Sequence, residues 1–132
     1  MPEKIVRSGL LRIWTESFGD PNDPAVLLIA GASAQAVFWA EEFCSQLVAG
    51  GRFVIRYDSR DTGLSDSVDF AESPYTVNDL AADAVSVLDA YDIPEANAVG
   101  VSGGGLVCQA LALDHRDRVI TISALLSSLL GT

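Results

Sequence analysis

The sequence predicts an α/β fold, a mostly parallel sheet with helices on both faces, and three observations carry that prediction. The segment AVLLIA, residues 25–30, is a continuous apolar run of strand length, the pattern of a strand buried on both sides. Segments of helical periodicity alternate with strand-like runs, which implies βαβ crossovers between parallel neighbours. Finally, VGVSGGGLV, residues 99–107, takes an apolar run through one serine and three glycines into another apolar run. A flexible linker would carry more serine and less valine.

Taken in order, residues 5–18 (IVRSGLLRIWTESF) read as two strands turning at Ser8-Gly9. GDPNDP is a dense turn cluster. AVLLIA is the third strand, followed by a small-residue loop, GASAQAV, and a helical pattern from about residue 38 to residue 49 that Gly50-Gly51 ends. RFVIRY is the fourth strand, leading into the polar loop DSRDTGLSD. Thr76 and Asp79 have the spacing of a capping box with Asp in place of Glu. Behind them Val77, Leu80, Ala81, Ala84, Leu88 and Tyr91 recur on one helical face, with Asp79, Asp83 and Asp89 mostly off it. Pro94 follows, and NAVGV is the fifth strand. Residues 103–113 can form a third helix, ended by the DHRDR turn, and VITISALL is a sixth strand.

The 132 residues are one domain's worth of chain, 49% hydrophobic and 20% charged, a composition able to bury a core. No apolar run reaches the length that spans a bilayer, and the start MPEKIVRSG lacks a signal-peptide h-region, so a cytoplasmic setting is expected. Cys44 and Cys108 fall in apolar helical stretches and read as small buried hydrophobes, not as a disulfide. A net charge of −10 repels phosphate backbones and anionic membranes, which argues against nucleic-acid and membrane partners. One histidine and two separated cysteines do not make a metal-ligand set.

Gly100-Val101-Ser102-Gly103-Gly104 fits G-x-S-x-G after a strand and before a helix, the setting of a nucleophile elbow. There the serine occupies a strained turn, and the small residues two positions either side, Gly100 and Gly104, avoid clashes with neighbouring backbone. The turn projects the Ser102 hydroxyl from the carboxyl edge of the sheet. It also sets the Gly103 N–H at the start of a helix, where free N–H groups and the helix dipole favour a developing oxyanion. Phosphate-binding patterns fail here: no G-x-x-x-x-G-K-[ST] exists, and Ser102 interrupts G-x-G-x-x-G. In the loop after the fourth strand, Asp58, Arg60 and Asp61 read as turn and ion-pair contacts that hold the loop, not as catalytic groups.

With these motifs in place, the chain resembles the N-terminal half of an α/β-hydrolase fold enzyme. The turn-rich entry to AVLLIAG, the loop Gly31-Ala32-Ser33, the DSRDTGLS loop and the elbow GVSGG occur in the family's order. The resemblance implies that the loop after the third strand supplies a second oxyanion N–H. The usual His-Gly reads Ala30-Gly31 here, and the backbone donor carried over is that of Ala32. Stretches such as EEFCSQLVAGGRFVIRYDSRDTGLSD and LAADAVSVLDAYDI extend the likeness to polyketide-tailoring esterases of the aclacinomycin methylesterase type. That likeness implies hydrolysis of a methyl ester on a bulky aromatic small molecule, in antibiotic biosynthesis and with no cofactor. Relatives with other ester substrates exist, so the motif alone does not choose the substrate.

A serine hydroxyl needs a base and an orienting acid, and in this fold both follow the serine in the chain. Beyond Asp117 and His115 the sequence has no further carboxylate or histidine. His115 itself lies a helix length from Ser102, roughly 15–20 Å by helical rise, and reads as a helix C-terminal cap. Residues 1–132 are therefore expected to form a single incomplete core domain, lacking a cap and the last two strands, with negligible activity alone. The strand at residues 119–126 would then present an apolar edge that a second polypeptide, or another copy of the chain, covers. Two readings stay open: the nucleophile-bearing half of a serine ester hydrolase, and a catalytically silent fragment or self-associating scaffold.

Overall fold

A computed structural model describes residues 2–30, 35–68, 71 and 74–129, with only the backbone at residue 37. The first two strands, β1 (Glu3–Ser8) and β2 (Leu11–Phe18), form a hairpin whose turn is set by Gly9 at φ +59°. β3 (Ala25–Ile29), β4 (Phe53–Tyr57), β5 (Ala96–Val101) and β6 (Val119–Leu125) follow. Among the described residues they form one sheet in the order β1-β2-β4-β3-β5-β6. β2 runs antiparallel to β1 and β4, and the other pairings are parallel. The predicted α/β fold is the one observed.

The strand alternation divides the apolar residues into two layers. Ala25, Leu27 and Ile29 of β3 and Phe53, Ile55 and Tyr57 of β4 face one layer, while Val26, Leu28 and Val54 face the other. Every residue of β3 and β4 is buried, as expected of strands covered on both sides. Helices α2 (Val77–Ala90) and α3 (Gly103–Asp114) cover the first layer, and α1 (Glu41–Ala49) covers the second. Cys44 and Cys108 belong to different layers and are both free thiols, so the sheet itself separates them.

α1 begins later than the periodicity suggests. Residues 36–38 instead form a 3-10 turn, with the N–H of Phe38 donating to Gln35 O and that of Trp39 to Ala36 O. The cause lies in β4's outgoing loop, where Asp58 Oδ1 accepts the Ala36 N–H at 2.7 Å and fixes the tighter turn. α2 starts where the Thr76/Asp79 pattern places it, the Asp79 carboxylate accepting the Thr76 N–H at 2.8 Å.

Two charged pairs lie inside the fold, and the sequence reading placed neither there. Glu16 of β2 accepts from Arg56 of β4 at 2.6 and 3.0 Å, with both side chains buried and the guanidinium also donating to Trp39 O. Asp83, expected off the apolar face of α2, is 1% exposed. It accepts two hydrogen bonds from Arg60 at 2.8 Å and one from Ser8 Oγ at 2.5 Å, and those three donors make its burial possible.

β6 pairs with β5 on one side and ends the sheet. Ile120 and Leu125 on it, and Leu126 just beyond, are exposed, the last by 91%. Among the described residues no helix is long and apolar enough to cross a membrane.

Candidate active site

Three strands end on the same edge as the Gly-Ser turn, and backbone contacts lock that turn in place. Ser102 sits between β5 and α3 at φ 53°, ψ −117°, a conformation that costs a residue with a Cβ about 1–3 kcal/mol. Its N–H donates to Leu125 O at 2.8 Å, tying the turn to the end of β6. Its carbonyl accepts the Gly105 N–H at 2.9 Å and opens α3. The Ser102 side chain caps nothing and the residue is exposed, so the hydroxyl is available to an external molecule.

Both flanking glycines are required by close approach. A Cβ at Gly100 would overlap the Gly104 carbonyl, and one at Gly104 would overlap Ile29 O and come within 2.9 Å of Ala30 O. Absent side chains thus let the first turn of α3 rest on the end of β3. Gly105 was not singled out in the sequence, yet a Cβ there would stand 2.5 Å from the Ser127 Cβ. The run of three glycines was the signal for it.

Gly103 begins α3 and is half-buried beside Ser102; as the first residue of the helix, its N–H has no acceptor within the helix. Ala32, the other expected backbone donor, lies outside the described residues. His115 follows the last residue of α3, a helix of 12 residues and so about 18 Å long. Its backbone N–H bonds to Leu111 O, so it does close the helix C-terminus, though through the main chain.

The loop after β4 behaves as the turn-and-ion-pair scaffold expected of it. Besides Ala36, Asp58 accepts the Leu64 N–H at 2.9 Å. Asp61 accepts the Val68 N–H at 2.7 Å and the Tyr75 hydroxyl at 2.6 Å. The Tyr75 hydrogen bond, then the backbone one, hold the Asp61 carboxyl below the ordinary carboxylate range. Arg60, bound to Asp83, lies under the Tyr75 ring at 4.8 Å. Elsewhere burial dominates: it pushes the Cys108 thiol up to about 12 and raises Cys44, so neither is a reactive thiolate.

A cavity of about 290 Å³ opens between the first turns of α2 and α3 and this loop. Ala30, Leu80, Gly103, Leu106 and Val107 line its apolar part, and Arg60 and Tyr75 stand on its polar side. The sequence reading missed it, because it is built from three segments far apart in the chain. Among the described residues no group of three or more His, Cys, Asp or Glu side chains could hold a metal ion.

A mostly parallel sheet with helices on both faces, carrying a glycine-locked serine turn on its carboxyl edge, defines the class of α/β folds with a residue set on a strand-to-helix elbow. Residues 24–128 match the family model described as alpha/beta hydrolase fold, and the chain belongs to that family. It is 45% identical over 130 residues to rhodomycin D methylesterase DnrP of Streptomyces peucetius, a match covering 98% of this chain and 44% of that protein. In structure it is similar to a hydrolase from Pseudomonas aeruginosa (TM-score 0.87, 26% identity, 96% of this chain and 46% of the other). Epoxide hydrolase A from Mycobacterium thermoresistibile is also similar (TM-score 0.85, 29% identity, 93% and 38%). The chain thus spans less than half the length of each of these proteins.

Proposed function

We propose that this chain carries the nucleophile of a serine ester hydrolase. The observation that supports it is the placement of Ser102: an exposed hydroxyl, held at positive φ by two glycine contacts, at the N-terminus of a helix that no side chain caps among the described residues. Ser102 Oγ attacks the ester carbonyl carbon, and the carbonyl oxygen becomes an oxyanion held by the N–H groups of Gly103 and Ala32. The C–O bond to the alcohol breaks, and the alcohol leaves with the proton taken from Ser102. Water then attacks the acyl-enzyme, releasing the carboxylic acid and restoring the serine. A histidine and a carboxylate on a further segment, of the same or a second polypeptide, move the proton, because His115 stands at the far end of α3. The similarity to a rhodomycin D methylesterase favours a methyl ester as substrate, and the resemblance in sequence to polyketide-tailoring esterases extends the proposal to a bulky aromatic polyketide and a cytoplasmic role in antibiotic tailoring.

The exposed apolar residues of β6 favour that further segment docking at this edge, continuing the sheet. The same edge supports a second reading, in which copies of the chain pair through β6 without chemistry. Native mass separates the two: a complex with a different polypeptide, or a longer chain, agrees with the first, and a complex of identical 132-residue chains with the second. Turnover of p-nitrophenyl acetate and of an aromatic methyl ester, measured on the completed assembly, is expected to disappear in Ser102→Ala. Unchanged turnover in that variant would remove the proposal.

A further inference from the structure

The 3-10 turn that precedes α1 is held at both ends by buried charged side chains from the end of β4. At its start the Ala36 N–H donates to Asp58 Oδ1 at 2.7 Å, and just past its end the Trp39 carbonyl accepts from Arg56 Nη1 at 2.6 Å. Arg56 and Asp58 are two positions apart, a strand step of about 6.6 Å. Three residues of 3-10 turn rise about 6 Å, so one side of the strand end meets both ends of the turn. Glu16 Oε1 takes Nε and Nη2 of the guanidinium, which leaves Nη1 for Trp39.

The side chains at either end of the turn add no hold of this kind. Gln35 before it forms no side-chain cap, and Trp39 Nε1 is buried without a hydrogen-bond partner among the described residues. Packing does not account for the charges, because apolar side chains of similar volume often replace a buried ion pair without loss of stability. What apolar side chains could not do is fix the direction of one N–H and one C=O, and charge-assisted hydrogen bonds do that best. The direction matters because residues 31–35 join two fixed points, Ala30 buried after β3 and Ala36.

We propose that Arg56 and Asp58 are positioning residues for ester hydrolysis, fixing the downstream end of the loop whose Ala32 N–H meets the oxyanion. This rests on the hydrolase reading above and assigns the placement of one donor to two buried side chains that touch no substrate. A reacting group misplaced by about 1 Å can cost about 100-fold in rate. The oxyanion exists only beyond the ground state, so the effect falls on the transition state and not on substrate binding. Acylation and deacylation both pass through an oxyanion and slow together, which leaves KM in place.

The test is made on the active assembly, with rates divided by the sites that a fluorophosphonate titrates to completion, so that unfolded protein does not count. Asp58→Ala is expected to lower kcat on p-nitrophenyl acetate about tenfold or more, with KM within about twofold. The affinity of an aryl trifluoromethyl ketone, which Ser102 would convert to a tetrahedral oxyanion, should fall by the same factor. Asp58→Asn, which keeps an acceptor for the Ala36 N–H, should recover part of both losses. Arg56→Lys keeps the charge beside Glu16 without the fork that also reaches Trp39; it serves if Asp58→Ala does not fold, and should show the same split. Asp66→Ala, in the same loop but paired with Arg12 at the surface, is the control and should leave kcat unchanged. Unchanged kcat per titrated site in the folded variant, a loss carried by KM, or a ketone affinity that stays constant while kcat falls would overturn the proposal. Failure of the hydrolase reading would appear differently, as turnover surviving Ser102→Ala.

Discussion

The Cα of Gly104 lies so close to the carbonyl oxygen of Ile29 that no side chain fits between them. This one approach sets the depth at which α3 sits on β3, and hence the height of Ser102 above the sheet edge. Gly104→Ala forces a Cβ into backbone, which cannot rotate away. A loss of about 3 kcal/mol is expected in urea unfolding, at the upper end for single substitutions. Gly50→Ala, where a Cβ would meet Leu47 O at 3.4 Å, is the control and should change stability by less than about 1 kcal/mol.

Asp83 holds Arg60 from below, so removing it strands a largely buried guanidinium and leaves Ser8 without its acceptor. Asp83→Ala should cost about 3 kcal/mol, whereas the double change Arg60→Leu with Asp83→Leu should recover to within about 1 kcal/mol of the original. Thermal or urea melts of both variants check this. A double variant no better than the single one would show that the pair is not the source of the loss.

Tyr75→Phe removes the larger of the hydrogen bonds that depress the Asp61 carboxyl, so its pKa should rise toward the ordinary value in an NMR carboxyl titration. The folded value lies below the unfolded one. The stability this provides is therefore complete above the unfolded pKa, about 3.9, and is lost as pH falls through the folded value. The difference in stability between the two proteins should accordingly shrink on acidification through that range.

The two thiols should behave as core atoms. At pH 8 a disulfide-exchange reagent is expected to react with neither Cys44 nor Cys108 in the native protein within minutes, and with both after unfolding. Fast native reaction of either would contradict the burial on which the two-layer core rests.

Where the sequence was easily read, local and global signals agreed. AVLLIA could only be a strand covered on both faces, Thr76 and Asp79 only a helix start, and the Gly-Ser-Gly spacing only a tight strand-to-helix turn. What stayed hidden depended on partners remote in the chain. Asp83 looks solvent-facing on a helical wheel, because Ser8 and Arg60, which pay for its burial, are 75 and 23 residues away. Arg56 sits in a strand of five buried residues for a similar reason: Glu16 lies 40 residues earlier. The late start of α1 follows from an Asp58 contact across 22 residues. In the site, the elbow was local and readable, while the cavity required three segments to be brought together.

The central claim is that Ser102 forms the acyl bond. It is tested most directly by treating the active assembly with a fluorophosphonate and locating the adduct by peptide mass mapping. One phosphonyl group on the peptide containing Ser102, absent from Ser102→Ala and accompanied by loss of ester turnover, is the result expected. An adduct on another residue that abolishes turnover, with Ser102 unmodified, would contradict the account.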